Sequence, residues 1–432
     1  MSFDRGVIQK TTEWKPSHHH CPLLLSDNPP FRELAIHRSV ASNDGTSLAI
    51  PLRNSENQWH LHIVNLFSQS QHTTEACNAL ADITPTGPQG LTWLEMDDEG
   101  WHAQSQTEPL SSAVEFAWNL TASPSGHIAF ESQSDRRYTP FSGTSFWNES
   151  YESTTGLTLS KQNGHCAAVV QTTPVAEGDL ETFGTGCFTL ATEKGAWNHT
   201  FLGAYTPSLS TDGSTLAADV RLPDNRCTVA VNDRIWGNSW TEVWAPAILG
   251  NPAKVVAPVK SDGRWWLYAD GEKYWETSCL QLWELTPSNN GRRMAAVASP
   301  SFGNWTLALD DALWKIRVDG FISKPKFSPC DSRLAATGRH KGRAILMMDH
   351  GVLDDGFLQV WDPNFSPHGS HEAFRARKKE GFFIYLDKKI VGGAFAWVGQ
   401  PKFSPDGRHL LISGIRKTGG TLHAIRQVIA TE

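Results

Sequence analysis

PKFSPDGRHLLIS occupies residues 401–413. A short apolar strand enters a Ser-Pro-Asp-Gly turn, and a second apolar strand leaves it. Asp406 can bond its own backbone and Gly407 accepts positive φ without a steric cost, so the pair suits a tight reversal. A lone hairpin cannot bury its faces. It needs neighbours, and the chain supplies copies of the same stretch.

Counting back from Asp406, the turn slot recurs at His368, Cys330, Asn290, Pro252 and Asp212, in steps of 38, 38, 40, 38 and 40 residues. It continues more weakly at Asn163, Ser125, Thr86 and Asp44. One step, from Asn163 to Asp212, stretches to 49 residues. A second ladder is made of tryptophan. Trp197, Trp236, Trp275 and Trp314 stand 39 apart, with Trp147 a further 50 upstream. Trp244, Trp283, Trp361 and Trp397 follow the same period more loosely. A repeat of this length holding about four short strands is the signature of a β-propeller blade of roughly 40 residues. The fold class predicted is all-β: a β-propeller of about ten four-stranded blades over residues 31–432, after an irregular segment 1–30. One ring is favoured because no linker breaks the period between Asp212 and Asp406; two five-bladed rings are the alternative.

The repeat 324–362 shows the expected strand order. PKFSP is the inner strand, RLAATG the second, AILMMD the third and FLQVW the outer one. The last repeat has PKFSP, HLLIS and TLHAIRQVI and then ends at Glu432, one strand short. Residues 31–37, from Phe31 to His37, are expected to complete that last blade and remove its open edge. Val7 to Trp14 is a further strand candidate.

The 432 residues carry a net charge of −7 with no long basic run, which argues against a nucleic-acid partner. Tryptophan is abundant, 18 against 6 tyrosines, and its periodicity points to packing between blades. The N-terminus MSFDRGVIQKTTEWKPS lacks the apolar core of a leader peptide. No run of about 18 apolar residues spans a membrane. These features lead to an expectation of the cytoplasm, without direct membrane insertion. The seven cysteines, at 21, 77, 166, 187, 227, 279 and 330, form no CxxC pair. They read as buried free thiols. No haem or iron–sulfur motif is present.

Several groups invite a chemical reading, and each has a structural one beside it. His18, His19, His20 and Cys21 are consecutive metal-ligand types, but neighbours on an extended strand point opposite ways. Asp262 and Asp270 flank Arg264-Trp265-Trp266-Leu267-Tyr268, as acids beside a sugar platform or as two hairpin turns around a strand. Asp310, Asp311, Asp349, Asp354 and Asp355 also fall where turns are due. Arg375, Arg377, Lys378, Lys379 and Glu380 read as a solvated turn, with docking of an acidic surface as the alternative. Residues 172–186 read as a loop projecting from its blade.

The text SPDG followed by an apolar strand resembles WD40-like and TolB-like propeller repeats, well in about six copies. Trp361-Asp362 is the one true Trp-Asp pair among them. More narrowly, the chain resembles the tryptophan-rich subunit of the Tmc-type transmembrane redox complex of sulfate-reducing bacteria. That resemblance implies an accessory subunit without cofactors. Its partners would be a multihaem cytochrome c, a membrane cytochrome b and an iron–sulfur protein, and it would lie peripherally on the inner face of the membrane.

The function expected is a non-catalytic scaffold, with no catalytic, cofactor-binding or metal-binding residue. Two alternatives carry distinct requirements. A glycan hydrolase needs two channel carboxylates about 5–10 Å apart. A carbohydrate-binding module needs exposed tryptophan, with Trp59, Trp93, Trp265 and Trp305 as candidates.

Overall fold

A computed structural model describes residues 14–24, 31–250, 252–349 and 351–432. The candidate strand at Val7 lies outside the described residues. Ten antiparallel sheets follow one another along the chain, so the protein is a ten-bladed β-propeller. Blades 1 to 10 cover residues 31–73, 79–105, 116–146, 153–196, 203–235, 242–273, 281–313, 326–357, 359–395 and 397–430. Blade 7 is typical: Gln281–Pro287 is innermost, then Met294–Ser301, Asn304–Leu309 and the short outer Ala312–Leu313. Blade 2 has three strands; residues 106–114 cover its outer edge, with Leu110 N donating to Ala103 O at 2.7 Å.

Contacts group the blades into two compact units. One holds the described residues up to Val114, with 328–332 and 355–432; the other holds 115–327 and 333–354, again for the described residues. In both, apolar cores form between successive blades. Trp265, Leu267 and Trp275 of blade 6 pack with Leu282, Leu285 and Met294 of blade 7. Trp314 sits with Val297 and Leu307 of blade 7 against Leu334, Ile345 and Met347 of blade 8. The 39-residue tryptophan ladder thus fills space at the blade junctions, as its period required.

The last blade is completed from the N-terminus, but by Ser17–Pro22 and not by residues 31–37. Ser17–Pro22 pairs antiparallel with Thr421–Ala430, from Ser17 opposite Val428 to Pro22 opposite His423. Phe31–Leu34 is instead the innermost strand of blade 1, where Leu34 lies opposite Leu52. The closing strand alternates, with His18 and His20 outward and Cys21 buried, and Cys21 and Leu23 join a core with Leu48, Ile50 and Trp397. Histidine triplets hide this alternation, because an exposed histidine and a packed one look alike in sequence. Charged groups seal the same seam. Lys402 Nζ donates to Asn43 Oδ1 at 2.8 Å, and the fully buried Arg426 donates from Nε to Asp44 O at 3.1 Å.

The blade boundary also falls earlier than the repeat text suggested. The outer strand of blade 8 is Gly351–Phe357, and Gln359–Val360 already opens blade 9. Asp354 and Asp355 therefore lie within a strand and not in a turn. The looser tryptophan set, Trp244, Trp283, Trp361 and Trp397, belongs to the innermost strands.

Candidate functional site: the inner-strand cavity of blades 4 to 8

Five of the innermost strands are broken by proline. Pro207, Pro246, Pro325, Pro363 and Pro401 interrupt them in blades 5, 6, 8, 9 and 10. Proline lacks the donor a ladder needs and is confined to edge strands, which the innermost strand is. In blades 2, 3, 4 and 7 the strand continues through a bulge, with positive φ at Asp82, Asn119, Gly156 and Glu284. At the breaks, free carbonyls accept from the preceding blade. Ser208 Oγ donates to Pro246 O at 2.6 Å, Thr286 Oγ1 to Pro325 O at 2.9 Å and Asn364 Nδ2 to Pro401 O at 2.7 Å. The same interruptions leave side chains facing open space.

Within blades 4 to 8 the innermost strands surround a cavity of about 800 Å3. Its walls include Trp244, Trp283 and Phe321, the hydroxyls of Thr206, Ser208 and Ser210, and the charged Lys161, Lys324 and Glu284. Trp244 is 43% exposed and stacks on Trp265, 5.4 Å between centroids at 28°. Trp283 leans on Trp305 at 4.7 Å. Each cavity tryptophan is thus backed by a second indole that fixes it. A smaller, polar cavity of about 480 Å3 shares Lys161, Ser210 and Thr211 with it. Asp212 lines this second space, but its carboxylate is held down to about 2 by Ser210 and by the amide and hydroxyl of Ser214. It serves its own turn.

Glu284 is the one carboxylate among the described residues lining the larger cavity. Two other acids occupy matching second-strand positions, in blades 3 and 5. Glu131 lies opposite Trp118 and accepts from Asn119 Nδ2 at 2.8 Å; burial raises its carboxyl despite bonds from Asn119, Trp118 and the Leu157 amide. Asp219 bonds Tyr205 N through its own carbonyl at 3.0 Å and accepts from Thr206 N at 3.0 Å. Burial pushes Asp219 up to about 6, against the pull of Thr206 and its own amide. Both sit within sheets, away from the cavity lining.

The remaining sequence candidates are dispersed. Asp262 and Asp270 have φ of 52° and 48° and form the two hairpin turns around Arg264–Ala269. Arg375, Arg377 and Lys378 are not a turn but lie in the strand Glu372–Lys378; only Lys379 and Glu380 turn. Arg375 packs over Trp361 at 4.2 Å and donates to Val398 O at 2.8 Å, while Lys378 pairs with Asp355 at 2.7 Å. Strand alternation splits the run into separate contacts. His18 and His20 lie 5.9 Å apart, with His19 against Phe67 on the other side. No group of three His, Cys, Asp or Glu among the described residues is placed to hold a metal ion. Six cysteines are buried and Cys330 is exposed; all seven are free. The segment 172–186 carries a short helix, Leu180–Thr185, capped by Asp179.

None of the four tryptophans expected as sugar contacts is exposed: Trp59 and Trp305 are half-buried. Trp93 and Trp265 are 1% exposed. Trp59, Trp265 and Trp305 open third strands, where each exchanges two backbone hydrogen bonds with a later connector residue: Cys77, Cys279 and Val318. Trp101, Tyr138, Phe188 and Cys227 do the same with Val114, Tyr151, Phe201 and Trp240. This staple recurs in blades 1 to 7 and places those rings inside the blade junctions. The exposed tryptophan is Trp244, and its signal was present: it stands two residues before Pro246, at an edge-strand break.

No protein-family model matches the chain, and no curated protein does. Among solved structures it is similar to a eukaryotic initiation factor, at 11% identity over 89% of this chain and 96% of that one, with a TM-score of 0.48. It is also similar to TolB from Acinetobacter baumannii, at 12% identity over 86% and 77%, TM-score 0.28. An acylaminoacyl peptidase from Pyrococcus horikoshii aligns at 12% identity and TM-score 0.38 over 87% of this chain, which spans 56% of the peptidase's length. The propeller assignment rests on the ten sheets themselves.

Proposed function

We propose that this propeller is a non-catalytic binding scaffold, and that the inner-strand cavity of blades 4 to 8 grips a segment of a partner protein. One observation carries the reading: inner strands of blades 4 to 7 and the connector into blade 8 converge there, and the exposed face of Trp244 and the ring of Trp283 are each backed by a buried or half-buried indole. Fixed aromatic faces beside hydroxyls and a few charges suit recognition, because little side-chain freedom is lost on binding. The finer reading, an accessory subunit of a membrane redox assembly beside cytochrome and iron–sulfur subunits, is supported by the tryptophan-rich repeat alone.

Affinity capture of the tagged full chain from detergent-treated membranes and from cytosol, followed by mass spectrometry, tests both levels. A reproducible set of partner subunits is expected, and haem and iron–sulfur proteins among them for the finer reading. Recovery as a lone protein would count against the scaffold.

A second reading is favoured by Trp244 itself. An exposed indole face beside Thr206, Ser208 and Ser210 is also the composition of a sugar-binding platform. A glycan array separates the two: binding that disappears in Trp244→Ala would favour the carbohydrate-binding module.

A further inference from the structure

The hairpins between second and third strands in blades 7 and 8 form a patch of a different kind. Phe302 sits at the tip between Met294–Ser301 and Asn304–Leu309 and is 95% exposed, the highest value among the described large hydrophobics. One blade on, the hairpin tip reads Arg339-His340-Lys341-Gly342-Arg343. The connector 315–321 ties the two together. Val318 exchanges both backbone hydrogen bonds with Trp305, and Arg339 N donates to Phe321 O at 2.8 Å. Phe321 is itself 66% exposed.

The charges are unbalanced. Asp319 is spent on His340 Nδ1 at 3.2 Å and on Lys341 N at 2.9 Å, and Asp354 meets Arg343 at 3.6 Å. The Arg339 guanidinium bonds only the Gly342 carbonyl at 3.4 Å among its described contacts, and the Arg317 guanidinium bonds the Trp314 and Ile316 carbonyls and the Thr306 hydroxyl. Four cations thus stand against two carboxylates, in a chain whose net charge is −7.

We propose that this patch docks the protein directly on an anionic lipid surface, with Phe302 in the interface and Arg317, Arg339, Lys341 and Arg343 on lipid phosphates. A bare ring on a hairpin tip offers no recess for a partner's side chain. A lipid interface accepts such a ring from any direction and rewards cations placed beside it. No helix among the described residues is long and apolar enough to cross a membrane, so the contact is peripheral. It goes beyond the cavity reading and does not depend on it.

The test is sedimentation of the full chain with vesicles of phosphatidylcholine alone or with a quarter phosphatidylglycerol. Binding is expected only to the anionic vesicles, and weakened by about 0.5 M salt through screening. Each cation near such a surface is worth about fivefold in affinity, so Lys341→Glu should cost more than that. Phe302→Ser should also weaken binding at unchanged charge. Both positions are exposed and outside the cavity lining, so a failure here leaves the cavity reading standing. Equal binding to both vesicles, or variants that bind like the parent, would overturn the proposal. So would binding to soluble polyglutamate with none to vesicles, which would assign the patch to an acidic polypeptide.

Discussion

Asp219 shows how one residue stores a pH dependence. Its carboxyl titrates near 3.8 when unfolded and about 6 when folded, so between these values the folded chain holds the extra proton. Stability therefore falls as pH rises through that window and levels off above it. A shift of this size is a ceiling of about 3 kcal/mol at neutral pH. Asp219→Asn keeps an acceptor for Thr206 N and removes the charge. It should raise the free energy of urea unfolding at pH 7 by about 2 kcal/mol and change little near pH 4; parallel pH profiles for parent and variant would contradict this. Thiols give a second residue-scale outcome. Burial pushes Cys77 up to about 12 and Cys279 to about 11, while Ser328 and Ser332 pull the exposed Cys330 down. One maleimide per native chain is expected, at Cys330, and seven after denaturation. The prediction of buried thiols thus holds at six positions and fails at Cys330, which is exposed in its turn slot.

Elements are held by what passes between blades. Gly291 has φ +66°, and a Cβ there would come within 2.2 Å of Gly250 in the neighbouring turn. Gly303 has a similar φ of +71° but open space around it. Gly303→Ala should cost about 1 kcal/mol for the backbone alone, and Gly291→Ala about 3 kcal/mol or more, read as free energies of urea unfolding. Equal losses would show that the close approach does not matter. The closing strand gives the other test. Removing residues 1–24 should bare the edge of Thr421–Ala430 and raise amide exchange there, leaving Asn304–Leu309 protected. No change in residues 421–430 would reject Ser17–Pro22 as the tenth blade's outer strand.

These elements also show what sequence alone carried. The turn slots were legible because Gly and Asp are demanded by backbone geometry, which composition reports directly; ten slots gave ten blades. The tryptophan period was legible for the same reason, since a repeated packing site needs a repeated volume. The closing strand was not, because SHHHCP has no apolar alternation and Phe31–Leu34 looks like a better strand than it. The cavity was missed because its tryptophans share a period with the packed ones. Pro207, Pro246, Pro325, Pro363 and Pro401 mark the inner edge, and the basic tip at 339–343 is shorter than the run at 375–380, which strand alternation disperses.

At the scale of the molecule, repetition and exception divide the work. Blade junctions, staples and turn glycines recur from blade to blade. The exposed Trp244, Phe302 and the 339–343 tip are where the proposed contacts fall. The scaffold account is tested most directly by capturing partners with the full chain and with a Trp244→Ala/Trp283→Ala variant side by side, at matched fold stability. The account predicts that the parent recovers a defined partner set and that the variant loses it. An unchanged partner set in the variant would contradict the assignment of the cavity as the binding site.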